Sequence, residues 1–267
     1  MAKFAANLTM LFTEVPFMER FAKASEAGFS AVEYLFPYAF DAQELAGELR
    51  KYHLEQALFN MPPGDWSAGE RGFAAIPGRE AEFRASVDTA LNYALTLKCK
   101  KVHAMSGIID NNYSYQQHVD TFLGNIRYAA EVFAEHDILL LIEPLNNRDV
   151  PGYFIAHQRD AVELIKQVER PNVKLQLDLY HAQIMDGDLT TLINDVASYT
   201  GHVQIASVPN RHEPSEGELN YPYLFTILEQ SGYDGWMGCE YNPRNTTEEG
   251  LGWVKPYLSE IQTNHHR

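Results

Sequence analysis

The sequence predicts an α/β protein folded as a single (β/α)8 TIM barrel. Three observations carry this. Short β-rich runs alternate with longer amphipathic segments, with a period of roughly 30 residues. Some of those runs are apolar almost throughout, as in Ile138-Leu-Leu-Leu-Ile142, which is the pattern of strands buried on both faces of a parallel sheet. No GxGxxG or GxxxxGK[ST] segment follows an early strand, so an open doubly wound sheet with a nucleotide cofactor loses its usual signature.

In chain order, the expected strands are Phe4–Leu8, Ala31–Leu35, Glu55–Asn60, Lys101–Met105, Ile138–Glu143, Val173–Asp178, His202–Ala206 and Trp236–Glu240. Between them lie helical patterns. Phe83, Val87, Ala90, Leu91 and Ala94 recur at helical spacing within Arg79–Leu97, and Phe122, Ile126, Ala129, Ala130 and Phe133 do so within Thr121–Phe133. A third pattern begins at Ala161 and continues through Leu164, Ile165 and Val168. Ser114 with Gln117, and Thr246 with Glu249, have the spacing of capping boxes at helix starts. The longest irregular stretch, Met61–Gly78, is rich in Pro and Gly and follows the third strand, where long loops often form functional rims. No linker divides the chain, so residues 1–262 are expected to form one domain, with 263–267 as a frayed tail.

Composition narrows the partners. Of 267 residues, 45% are hydrophobic and 21% charged, as in an ordinary globular protein. Acidic side chains outnumber basic ones by 36 to 21, and a net charge of -15 repels phosphate backbones, so no nucleic-acid partner is expected. Two cysteines, Cys99 and Cys239, make neither a disulfide framework nor a four-cysteine zinc site. Met1-Ala-Lys-Phe4 opens no signal-peptide pattern, and no apolar stretch is long enough to span a membrane. The expected address is the cytoplasm, with no membrane partner.

In such barrels the active site sits at the carboxyl ends of the strands. Four consecutive strands carry chemically useful residues there: Glu143, Asp178, Gln204 and Glu240. Any one of them reads equally as a helix cap, a lysine partner or a buried amide satisfying the backbone. Together, three carboxylates at one mouth would raise each other's pKa, and a divalent cation would remove that conflict. An all-oxygen donor set favours Mg²⁺ or Mn²⁺, whereas zinc would more usually recruit His or Cys. Cys239 adjoins Glu240 but points to the opposite face by strand alternation. Around this centre lie His181, Arg211 with His212, and His103. His103 also reads as a core histidine, and Arg211 as the guanidinium fork for an anionic substrate. Arg71 and Arg79 in the long loop are secondary candidates for the same duty, and Trp66 a candidate shield against water.

The chain resembles the hydroxypyruvate isomerases and 2-oxo-tetronate isomerases of the xylose-isomerase-like barrel superfamily. The likeness runs nearly end to end: Phe4-Ala-Ala-Asn-Leu-Thr-Met-Leu-Phe12, Val32-Glu-Tyr-Leu-Phe-Pro-Tyr38, Pro63-Gly-Asp-Trp66, Ala68-Gly-Glu-Arg-Gly72, Ile76-Pro-Gly-Arg-Glu80, Leu139-Leu-Leu-Ile-Glu-Pro144, Tyr180-His-Ala-Gln183, His202-Val-Gln-Ile-Ala206, Arg211-His-Glu-Pro214, Gly217-Glu-Leu-Asn-Tyr221 and Trp236-Met-Gly-Cys-Glu-Tyr241. The resemblance implies metal ligands at Glu143, Asp178, Gln204 and Glu240, and an acid/base pair at Glu143 and Glu240. It implies isomerisation of a small oxo-hydroxy acid, without a redox cofactor, with His181 aiding proton movement and Arg211 holding the substrate carboxylate.

The related ketose 3-epimerases carry histidine where this chain has Gln204, which argues against that branch. Thr13-Glu-Val-Pro-Phe17 and Val102-His-Ala-Met105 look like the tetronate branch, and Asp149-Val-Pro-Gly-Tyr153 like the hydroxypyruvate branch. A sugar 3-epimerase, a non-catalytic sugar-acid binding barrel and an abasic-site endonuclease are the rival readings. Relatives in the superfamily often associate, which makes a homo-oligomer an open expectation.

Overall fold

A computed structural model describes residues 2–258. The expected tail at 263–267 lies outside the described residues. Eight parallel strands close on themselves in the order β1 to β8, with β1 pairing both β2 and β8. They are β1 Lys3–Asn7, β2 Ala31–Tyr34, β3 Glu55–Asn60, β4 Lys101–His103, β5 Leu139–Ile142, β6 Val173–Asp178, β7 Thr200–Ile205 and β8 Trp236–Cys239. The helices around them are α1 Arg20–Glu26, α2 Ala42–Lys51, α3 Glu80–Leu97, α4 Tyr115–Ala134, α5 Gln158–Val168, α6 Leu179–Met185, α7 Leu189–Val196, α8 Tyr221–Gln230 and α9 Thr247–Gly250. This is the predicted (β/α)8 barrel, with a second helix between β6 and β7.

Closure follows from the strand sequences. Outward-facing residues such as Phe4, Val32, Leu140, Leu175, Val203 and Met237 belong to one continuous core with the buried faces of the helices. The α3 and α4 stripes expected from periodicity are buried there, except Leu91, which is only partly covered. Cys239 is fully buried in the same outer layer. Inside the barrel, Ala5, Ala31 and Ala57 form a small apolar floor against Trp236. Above that floor the interior turns polar, with Asn7, Glu33, His103, Gln176, Asp178, His202 and Gln204 all buried.

Six of the eight predicted strands shift at one or both ends by one or two residues. Glu143 and Glu240 were expected as last strand residues, yet ladder pairing stops at Ile142 and Cys239. Both glutamates follow their strands by one residue and line the cavity at the barrel mouth. Ser114 and Gln117 form a reciprocal capping box at the start of α4; Thr246 caps α9 through the Glu249 amide.

The long stretch 61–78 contains no helix or strand but is stitched in place. Gly72, at φ +87°, bridges to Ser106, and a Cβ there would collide with the Met105 carbonyl. Asn125 and His118 of α4 reach the Ala74 and Ala75 carbonyls at 2.9 and 2.7 Å. Arg79 closes the loop by pairing with Glu70 and Glu82.

Candidate active site

A cavity of about 170 Å³ opens at the carboxyl end of the barrel. Its walls include Glu143, Glu240, His181 and Arg211, together with Trp66 and Arg71 from the long third loop. It falls below the ~300 Å³ typical of drug-sized pockets, so it suits a small polar molecule.

Each acidic group is placed by local chain geometry. Asp178 ends β6 and caps α6: its Oδ1 accepts from the Tyr180 amide at 2.8 Å. Oδ1 thus serves the cap, and Oδ2 is left to face Arg211 at 3.2 Å and His181 Nε2 at 3.6 Å. Glu143, just past β5, has its Oε2 3.5 Å from His103 Nδ1 and its buried Oε1 without a hydrogen bond. Glu240, just past β8, accepts from Arg211 at 3.1 Å. Oxygens of Glu143 and Asp178 and a ring nitrogen of His181 lie within 4.8 Å of one another, a triad able to hold a metal ion.

Burial is the first cause of the shifts at this mouth. It raises Glu143 well above the usual carboxylate range, and Glu240 and Asp178 push it further. Burial likewise raises Asp178, and lifts Glu240 to about 8 against the opposing pull of Arg211. Burial works against the Arg211 charge, but Glu240, Asp178 and Glu143 outweigh it and hold its pKa above the ordinary value. Arg211 itself takes a left-handed backbone, φ 55°, a strain of about 1–3 kcal/mol that functional sites often hold. Its carbonyl accepts from Asn242 at 2.8 Å, its amide donates to Ser207 at 2.9 Å, and its guanidinium stacks over Tyr180.

His181 has a defined tautomer. The Asn146 backbone N–H donates to His181 Nδ1 at 3.1 Å, so Nδ1 is the acceptor and the proton of the neutral ring sits on Nε2, toward Asp178 and Glu143. Burial, with Arg211 and His103 nearby, keeps this ring neutral. Nε2 lies 3.6 Å from Asp178 and 3.9 Å from Glu143, and it would join them as a metal ligand only once its proton had left.

The expected residues thus fall into groups. Glu143, Asp178 and His181 come together directly, and Arg211 ties Glu240 to Asp178. Gln204 stands beside Asp178 in register, but its amide bonds to Gln176 and Glu33. His103 is completely buried beside Glu143, and burial lowers its pKa to about 3. Arg79 is spent on Glu70 and Glu82, whereas Arg71 lines the cavity, stacked on Trp66 at 3.8 Å. His212 bonds the Asn242 carbonyl through Nδ1.

Three residues of this network escaped the sequence reading. Glu33 and Gln176 sit two positions from other inward residues, in Ala31-Val-Glu33 and Gln176-Leu-Asp178, so strand alternation was the available signal. Asn146 lies in an irregular loop and carried none.

The chain is similar to several known proteins. Residues 21–257 match the family described as xylose isomerase-like TIM barrel. The chain is 51% identical to the 2-oxo-tetronate isomerase of Pectobacterium atrosepticum over 97% of its own length and 98% of that protein's. It is 49% identical to the hydroxypyruvate isomerase of Escherichia coli, over 96% of this chain and all of that one. Among solved structures, a Brucella melitensis protein named "AP endonuclease, family 2" superposes with TM-score 0.95 at 63% identity, covering 96% of this chain and 99% of its own. An Escherichia coli 3-keto-D-glucoside 4-epimerase superposes with TM-score 0.80 at 19% identity, covering 96% of this chain and 99% of its own, a likeness of fold alone.

Proposed function

The chain belongs to the xylose isomerase-like TIM barrel family, within its hydroxypyruvate and 2-oxo-tetronate isomerase group, and from that premise we propose that it isomerises a small 2-oxo hydroxy acid of three or four carbons. The observation that carries this reading is the convergence of Glu143 and Glu240 on one small cavity, with the fully buried Asp178 tied to Glu240 through Arg211. Three carboxylates there, one with an unpartnered buried oxygen, fit a divalent cation. Glu143, Asp178, Gln204 and Glu240 would hold it, and oxygen donors favour Mg²⁺ or Mn²⁺. When bound, such an ion supplies charge stabilisation for oxygens that become negative in the transition state.

The reaction moves hydrogen within one molecule. A proton leaves the hydroxyl-bearing carbon beside the carbonyl, an enediolate forms, and a proton returns to the former carbonyl carbon. Glu143 and Glu240 are the acid/base pair, and burial makes each a stronger base than a solvated carboxylate. His181, with its proton on Nε2, assists proton movement between the two substrate oxygens. Arg211 was expected to hold the substrate carboxylate, yet its guanidinium already bridges Asp178 and Glu240. Arg71 lines the same cavity and, among the described residues, has no carboxylate in ion-pair range; its Nη1 bonds only the Glu70 and Trp66 carbonyls. Arg71 therefore takes the carboxylate, and Arg211 balances the acidic cluster.

The test is a parallel assay of hydroxypyruvate and the 2-oxo-tetronates with Mn²⁺-replete protein in deuterated water. Turnover of at least one, with solvent deuterium in the product, is expected; no turnover of any would end this reading. Product analysis with a ketohexose exposes a 3-epimerase, and binding without deuterium uptake a non-catalytic barrel. The name of the Brucella melitensis relative favours a second reading, cleavage at abasic DNA sites. The -15 charge and the acidic mouth oppose it, and an abasic duplex incubated with the protein should stay intact.

A further inference from the structure

Beneath the mouth lies a fourth buried carboxylate that the mechanism above does not use. Glu33 stands on β2, 1% exposed, inside the barrel. Three donors converge on it. Asn7 Nδ2 and Gln204 Nε2 donate to Oε1 at 3.0 and 2.8 Å, and His202 Nε2 donates to Oε2 at 2.7 Å. Only a carboxylate offers two acceptor oxygens and no donor, so no other side chain of this size accepts all three bonds. The barrel also makes room for it: a Cβ at Gly238 on β8 would collide with both Glu33 carboxylate oxygens. Burying a charge this way costs several kcal/mol before its partners compensate, so an inert core position would more readily be apolar.

We propose that Glu33 is a positioning residue for the cation site: by binding the Gln204 amide nitrogen, it leaves the Gln204 carbonyl oxygen as the ligand atom. A hard cation takes an amide only through its oxygen. Gln176 Nε2 donates to that same oxygen at 2.6 Å, so both neighbours fix one amide orientation and one oxygen lone pair stays available. The inference rests on the reading of Gln204 as a ligand.

The experiment is Mn²⁺ titration of metal-free protein by calorimetry, comparing wild type, Glu33→Met, Gln204→Ala and the double variant. Glu33→Met should weaken Mn²⁺ binding about tenfold or more, the range for lost partners of ligands. In the Gln204→Ala background the same change should have no further effect. A loss that persists in that background is a charge effect, and it overturns positioning. Unchanged affinity in Glu33→Met, with Gln204→Ala weakened, also overturns it while leaving Gln204 a ligand. Unchanged affinity in Gln204→Ala removes both claims. Should Glu33→Met fail to fold, a crystal structure of the wild type with Mn²⁺ decides. Gln204 Oε1 on the ion with Nε2 still on Glu33 supports the inference, and Gln204 turned away from the ion overturns it.

Discussion

The two halves of the barrel rim are built differently. Glu143 and Glu240 stand just beyond β5 and β8, Asp178 ends β6, and Gln204 lies on β7. The rim of β1 to β4 offers Asn7, Leu35, Asn60 and His103, with no acid among them, and the long loop carrying Trp66 and Arg71. The acidic half is fixed by rigid elements: a strand-end cap at Asp178, a histidine held by Asn146, and an arginine threaded between two carboxylates. The other half contributes neutral groups and a loop pinned at Gly72, Asn125 and Arg79. Under the proposed function the contrast is a division of labour, with proton transfer and cation binding assigned to one side and substrate selection to the other. Glu33 crosses the divide, reaching from β2 to Gln204 on β7.

The largest effect that would break this division is metal removal. Exhaustive chelation should abolish turnover, and Mn²⁺ should restore it. Saturation at a hundred times Kd should also stabilise the fold by about 2.7 kcal/mol, several degrees in Tm. Full activity in metal-free protein would leave the acidic half without its proposed purpose.

Next, Glu143→Gln and Glu240→Gln should each lower kcat by at least ~10²-fold, the lower range for lost acid/base catalysis. A purified variant with near-normal kcat removes that residue from the pair.

The smaller effect sharpens the comparison. Arg71→Met should raise KM by roughly 10-fold to 100-fold, the worth of charge-assisted hydrogen bonds to a carboxylate, with kcat little changed. Arg211→Met should instead lower kcat, because it leaves Asp178 and Glu240 uncompensated. If the KM effect appears only in Arg211→Met, the two arginines exchange roles.

Much of this arrangement was legible in the chain. The strand candidates lie where β-rich apolar runs lie, and β3 and β6 match residue for residue. The acids at 143, 178 and 240 were visible because each closes an apolar strand. Arg211 was visible as a cation in the following loop, but its destination was not. Whether a guanidinium in a loop meets substrate or its own carboxylates depends on a backbone turn at φ 55° and on Asn242, thirty-one residues away.

Sequence alone determined the barrel and the identity of its polar rim, because alternation and apolar runs are local properties that fix which face each residue takes. Tertiary structure alone decided the partnerships: Glu33 with His202 across 169 positions, Asn146 with His181, Arg211 between two acids. A hydrogen bond inside a closed barrel depends on which strands become neighbours across its interior, and no local pattern along the chain encodes that distance.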